Sequence, residues 1–198
     1  MPVVVLASGT GTLAEALMEA ADRPKSPFRI AALITDRDCA ALERAENHGV
    51  TGVVIPPRDH ADRATWDRAL ADTIAGFEPE WVVTAGFMRI LGADFVERFA
   101  GRAINSHPAL LPAFPGAHGV RDALEYGVKV TGCTVHLIDA GVDTGPVIAQ
   151  AVVEIADDDT EASLHERIKT HERQLLVDVL GAAARGTLRT EGRKVIRS

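Results

Sequence analysis

"VVVLASGTGTLAEAL", residues 3–17, runs an apolar, β-branched segment through two glycines into a helical pattern. Val3 to Ala7 is the kind of short continuous apolar run that is buried in a parallel sheet. Three more follow: "RIAALI" (29–34), "GVVI" (52–55) and "WVVTA" (81–85). Between them Thr12 to Ala21, Ala40 to His48 and Ala61 to Ala75 read as helices, the second stopped by Gly49. This alternation predicts βαβ units with right-handed crossovers. The expected fold is α/β: an open, mostly parallel twisted sheet with helices on both faces and a Rossmann-like N-terminal half.

The pattern then changes. A helix is expected from Arg89 to Ala100, then the strand "RAIN", a proline-rich stretch and a short helix near Val120 to Glu125. Two long apolar runs, Val130 to Ile138 and Pro146 to Ile155, are joined by "DAGVDTG"; they either pair as a hairpin or lie apart in the sheet. Leu164, Ile168, Leu175, Leu176, Val179 and Leu180 make Thr160 to Ala184 an amphipathic helix, expected to close the chain.

With 46% hydrophobic residues and no repeat or linker, residues 1–198 are expected to form one domain. Lys and Arg total 21 against 28 Asp and Glu, a net charge of -7, so no broad cationic surface exists for a nucleic-acid backbone. Cys39 and Cys133 lack CxxC spacing, and the N-terminus carries neither a basic start nor a long apolar run. The expectation is a cytoplasmic protein without membrane association, acting on small molecules as a monomer or homodimer.

Chemistry concentrates in three loops. Gly9 and Gly11 permit close backbone approach, and the helix that follows presents unpaired N–H groups suited to an anion. Gly9, Gly11 and Ala14 also fit the relaxed G-x-G-x-x-A pattern, with Asp36 as a ribose partner, so a dinucleotide-binding oxidoreductase or sensor stays open beside a mononucleotide-like phosphate site or a plain tight turn. In "INSHPALLPAFPG" (104–116), Asn105 and His107 lie two apart at a strand end and project to one side. An amide there can donate to a developing oxyanion while an imidazole moves a proton; the same residues could equally cap a stiff connector. In "DAGVDTGPVI" (139–148), Asp143 supplies a carboxylate able to orient water or hold His107 protonated, or it closes an Asx-turn. His107, His118 and His136 show no metal-ligand spacing, so no metal is expected, and His136 reads as a core histidine. Both cysteines read as packing residues.

"INSHPALLPAFPG" resembles the N-x-H-P-S-L-L-P-x-x-P-G signature of the 10-formyltetrahydrofolate-dependent formyltransferases, and "DAGVDTGPVIAQ" resembles their D-x-x-x-D-x-G-P loop. "VVVLASGTGT", "ALERAENHGV", "AGFMRIL" and "HERQLL" extend the likeness over nearly the whole chain, most closely to the branch whose acceptor is the amine of a glycinamide ribotide in purine synthesis. The resemblance implies direct attack of that amine on the formyl carbon of 10-formyltetrahydrofolate, the co-substrate, with no metal. It assigns Asn105 to the formyl oxygen, His107 to proton movement and Asp143 to support of His107. It places the ribotide on Gly11, Thr12, Leu13, Lys169 and Glu172. The folate falls on Arg63, Met88, Arg89, Ile90, Leu91, Asn105, Asp139, Ala140, Gly141, Val142 and Asp143. On this basis residues 1–100 form the phosphate-binding half and 101–198 the catalytic and folate-binding half. The family's methionyl-tRNA formyltransferases and formyltetrahydrofolate hydrolases carry a further domain, so with residues 1–198 read as one domain neither is the expected activity. The turn Ser8-Gly9-Thr10-Gly11-Thr12 leads directly into Leu13, without the Asn of the usual S-G-x-G-S-N, and Ala109 replaces a usual Ser.

Overall fold

The computed structural model describes residues 1–197. The chain folds as two compact units, Met1–Ile104 and the residues from Asn105 onward. A seven-stranded sheet runs in the order 52–54, 29–35, 2–7, 81–84, 103–107, 130–137 and 147–154, and a separate two-stranded sheet pairs 188–191 with 194–197.

In the first unit β1 (Pro2–Ala7) pairs in parallel with β2 (Arg29–Thr35) on one side and β4 (Trp81–Thr84) on the other, and β2 pairs in parallel with β3 (Gly52–Val54). Val3 to Ala7 are wholly inaccessible to solvent, which is why this strand shows no polar alternation. Helices α1 (Thr12–Ala21), α2 (Ala40–Asn47) and α3 (Arg63–Gly76) supply the crossovers. Asp62 caps α3, its carboxylate accepting from the Thr65 amide at 2.8 Å. The helix expected from Arg89 is shorter: α4 spans only Ala93–Arg98. Gly86, at φ +74°, turns the chain out of β4, and Gly92 stands in extended backbone as the N-cap, so residues 87–91 form a loop.

The second unit is built on β6 (Val130–Leu137) and β7 (Val147–Glu154), which pair antiparallel from Val130 opposite Glu154 to His136 opposite Val147. The hairpin alternative is the observed one. Strand β5 (Ala103–His107) precedes α5 (Gly119–Tyr126), and α6 (Glu161–Ala184) lies against β6 and β7. Val120, Cys133, Val153, Leu164 and Ile168 form the core between α5, α6 and the hairpin. Thr160 and Ser163 form a reciprocal capping box that fixes the start of α6.

The chain does not close on α6. Strands β8 (Leu188–Glu191) and β9 (Lys194–Arg197) form a terminal hairpin, with β9 alongside β7. Sequence patterning misses it because four-residue strands with mostly exposed, charged side chains carry no apolar period.

Leu164 is fully buried in the α6 core, and Leu164→Ala is expected to cost about 2–5 kcal/mol. Urea unfolding should show this as a lowered midpoint with an unchanged slope.

Candidate active site

The glycine turn of the first unit is held from behind. Gly11 is the N-cap of α1 at φ +75°, and a methyl group placed on its Cα would stand 2.6 Å from the Ala41 Cβ. Only glycine meets both the conformation and the close approach. The Ala41 amide donates to the Gly9 carbonyl at 3.2 Å, and Arg44 Nε to the Thr10 carbonyl at 2.8 Å, while the same guanidinium pairs with Glu15. Thr12 and Leu13 are the first two residues of α1, where amides have no intrahelical acceptor. Nothing in the spacing of "ALERAENHGV" singles out Arg44, because it grips a backbone carbonyl.

The 87–91 loop carries the exposed apolar side chains of Met88 and Ile90, 62% and 66% accessible, which rules out ordinary helix packing for them. Leu91 is half-buried. Arg63 opens α3, donates to the Ile90 carbonyl, pairs with Asp67 at 2.7 Å and lies 5.0 Å over the Trp66 ring. Arg63 and the loop are therefore brought together.

Asp36 has a different part from a ribose partner. Its buried carboxylate receives Arg89 Nε at 2.7 Å and Arg37 Nη2 at 2.9 Å, and it hydrogen-bonds with Ser8. Ser8 Oγ in turn accepts from the Met88 amide at 3.0 Å. Burial pushes the carboxyl up, but the Arg37, Arg89 and Ser8 contacts together outweigh it and hold it at about 2. With its oxygens so engaged, Asp36 is not placed to bind sugar hydroxyls.

In the second unit Asn105, His107 and Asp143 converge. Asp143 Oδ1 accepts from Asn105 Nδ2 at 3.3 Å, and Oδ2 lies 3.3 Å from His107 Nδ1. The Gly116 amide donates to Oδ2 at 2.8 Å. His107 Nε2 lies 2.8 Å from the Phe114 carbonyl, so both ring nitrogens face oxygen atoms. His136 joins them: its Nδ1 faces the Leu137 carbonyl at 2.9 Å, and its Nε2 lies 3.2 Å from Asn105 Nδ2 and 3.4 Å from Asp143 Oδ1. It is a buried, satisfied histidine, as its strand suggests, yet it touches two of the three expected residues. Burial raises the Asp143 carboxyl, but His136, the Gly116 amide and His107 overcome that and leave it below the usual carboxylate value.

The loop around Asp143 is braced internally. Asp139 Oδ1 accepts from the Gly141 amide at 3.1 Å and from Thr144 Oγ1 at 2.6 Å; Ala140, Gly141 and Val142 are exposed along it. On α6 the Lys169 ammonium pairs with Glu166 at 2.7 Å. Glu172 is 2% accessible, and Ser106 Oγ donates to its Oε1 at 2.6 Å. Burial pushes its carboxyl up against the opposing pull of Ser106 and of Lys169 and Arg173. The signal in the sequence is a glutamate in register with the stripe Leu164, Ile168 and Leu176. Burial pushes the Cys133 thiol up to about 12, so it remains a thiol in the core. Among the described residues no His, Cys, Asp and Glu group is arranged to hold a metal, and no helix is long and apolar enough to cross a membrane.

Residues 1–180 match the formyl transferase family, and the chain belongs to that family. It is 53% identical over 199 residues to phosphoribosylglycinamide formyltransferase of Mycobacterium tuberculosis, covering 98% of this chain and 92% of that protein. The human trifunctional purine biosynthetic protein adenosine-3 is 39% identical over 187 residues, covering 94% of this chain and 18% of its own. Among solved structures, glycinamide ribonucleotide transformylase 1 of Symbiobacterium toebii superposes with a TM-score of 0.97 at 40% identity, over 100% of this chain and 93% of that one.

The Asp36 cluster makes a pH-dependent prediction. A carboxyl held at about 2, below its unfolded value near 3.9, contributes stability in full above that unfolded value and loses it as pH falls toward 2. Asp36→Asn should therefore destabilise the protein by about 1–3 kcal/mol at pH 7. Denaturant midpoints of the two proteins should converge as pH drops below about 4.

Proposed function

We propose that this chain transfers the formyl group of 10-formyltetrahydrofolate to the amine of N1-(5-phospho-D-ribosyl)glycinamide, a step of de novo purine synthesis. The observation that carries it is the convergence of Asn105 and His107 on the Asp143 carboxylate, in a chain of the formyl transferase family.

The chemistry asks for three things. A carbonyl oxygen gains negative charge as the amine adds to the formyl carbon, and the Asn105 amide is the donor suited to meet it. The attacking nitrogen must lose a proton, and the folate nitrogen must gain one as its bond to carbon breaks. His107 is the proton-handling group, and Asp143 supports its charge and aligns it. The C–N bond to the acceptor forms as the C–N bond to the folate breaks, so no oxidant, reductant or metal is required. Asn105 also receives support from His136, whose Nε2 lies 3.2 Å from the same amide nitrogen that meets Asp143.

The ribotide phosphate belongs on the Gly11, Thr12 and Leu13 amides, the loop held by Ala41 and Arg44; with Leu13 where the family turn carries an Asn, backbone groups carry that contact. Lys169 and Glu172 serve the same substrate. Arg63, Met88, Arg89, Ile90 and Leu91 take the folate with the 139–143 loop, the apolar members suiting a flat ring and the arginines its carboxylates.

Two measurements test this. In a formyl-transfer assay, Asn105→Ala, His107→Ala and Asp143→Ala should each lower kcat by about 10²-fold or more. Near-wild-type turnover in all three would remove the assignment. Glycinamide ribotide and a folate analogue should each raise the melting temperature while NAD(P) should not; the reverse pattern would favour a dinucleotide protein. Gly11→Ala should raise KM for the ribotide by about tenfold with a smaller change in kcat, measured by varying ribotide at saturating folate.

A further inference from the structure

The terminal hairpin lies beyond the residues that match the family, and its turn reaches the loop that carries Asp143. Arg193, in the turn between β8 and β9, donates from Nη2 to the Thr144 carbonyl at 2.9 Å. Thr144 directly follows Asp143, whose backbone sits at φ +55°, a left-handed conformation that a non-glycine residue holds only when its surroundings over-determine it.

Before Asp143 the loop is closed on Asp139 by the Gly141 amide and the Thr144 hydroxyl. After it, Gly145 passes so close to the Leu137 carbonyl that a Cβ would lie 1.7 Å from that oxygen, and the Leu137 amide donates to the Pro146 carbonyl at 2.9 Å. Between these two anchors the Thr144 carbonyl is outside the β6–β7 ladder and is held by Arg193.

We propose that Arg193 is a positioning residue: the β8–β9 hairpin delivers its guanidinium to the Thr144 carbonyl and so fixes the backbone conformation that aims the Asp143 carboxylate at His107 and Asn105. This rests on the assignment of Asp143 to formyl transfer. The contact is charge-assisted and exposed, so its effect is modest and falls on turnover rather than on the ribotide end.

The test uses the full chain with Arg193→Ala, Arg193→Lys and Asp143→Ala. Arg193→Ala should lower kcat about fivefold, leave KM for the ribotide within twofold, and speed amide exchange in residues 139–145 while α6 is unchanged. Arg193→Lys, which keeps a charged donor, should recover part of both losses. Unchanged exchange at 139–145 together with wild-type kcat in Arg193→Ala would overturn the proposal, and so would a fall in melting temperature with no change in kcat. Faster exchange in Arg193→Ala alongside a fully active Asp143→Ala would instead leave the loop contact standing and refute the catalytic assignment on which its purpose rests.

Discussion

The Asp143 carboxylate is the point at which the second unit is tied together. Strand β5 brings Asn105 and His107 to it, β6 brings His136, and the segment after β5 brings the Gly116 amide. Each contact offsets part of the cost of removing a carboxylate from water. Because the Phe114 carbonyl occupies the far nitrogen of His107, the imidazole is fixed at both ends and its position follows from two separate stretches of backbone. The proline-rich segment from Pro108 to Gly116 is thus more than a connector, since it supplies both the Phe114 carbonyl and the Gly116 amide.

A second carboxylate organises the first unit in a comparable way. Asp36 follows β2, Ser8 follows β1, and Met88 and Arg89 follow β4, so one buried acid links the turns at the C-terminal ends of three parallel strands. Those ends are where open α/β sheets bind ligands. The two guanidiniums on Asp36 leave local positive charge beside the exposed loop, although the chain as a whole is acidic.

Much of this was legible in the sequence, and the exceptions share a cause. The parallel strands were visible because burial on both faces leaves uninterrupted β-branched runs. Asn105, His107 and Asp143 are singled out by the family resemblance, because a polar pair at a strand end and an acid between glycines serve equally well as a connector and a turn. The 87–91 loop was hidden because Met88, Arg89, Ile90 and Leu91 have good helix propensity, and only Gly92 marks where α4 begins. His136 and Glu172 lay inside apolar patterns that explain their burial but not their polar partners. Arg44 and Arg193 were invisible for a stricter reason: each grips a main-chain carbonyl far away in sequence, and such a target leaves no residue-type signature.

The close approach of Gly11 to Ala41 binds the evolution of two positions to each other. Helix α2 can rest on the glycine turn only while residue 41 is small, and Arg44, one helical turn further on, reaches Thr10 only while α2 rests there. A bulkier side chain at position 41 would act as a wedge, lifting the helix and withdrawing the guanidinium from the turn in one movement. Positions 11, 41 and 44 therefore form a mechanical unit whose tolerance to change is set by its smallest member.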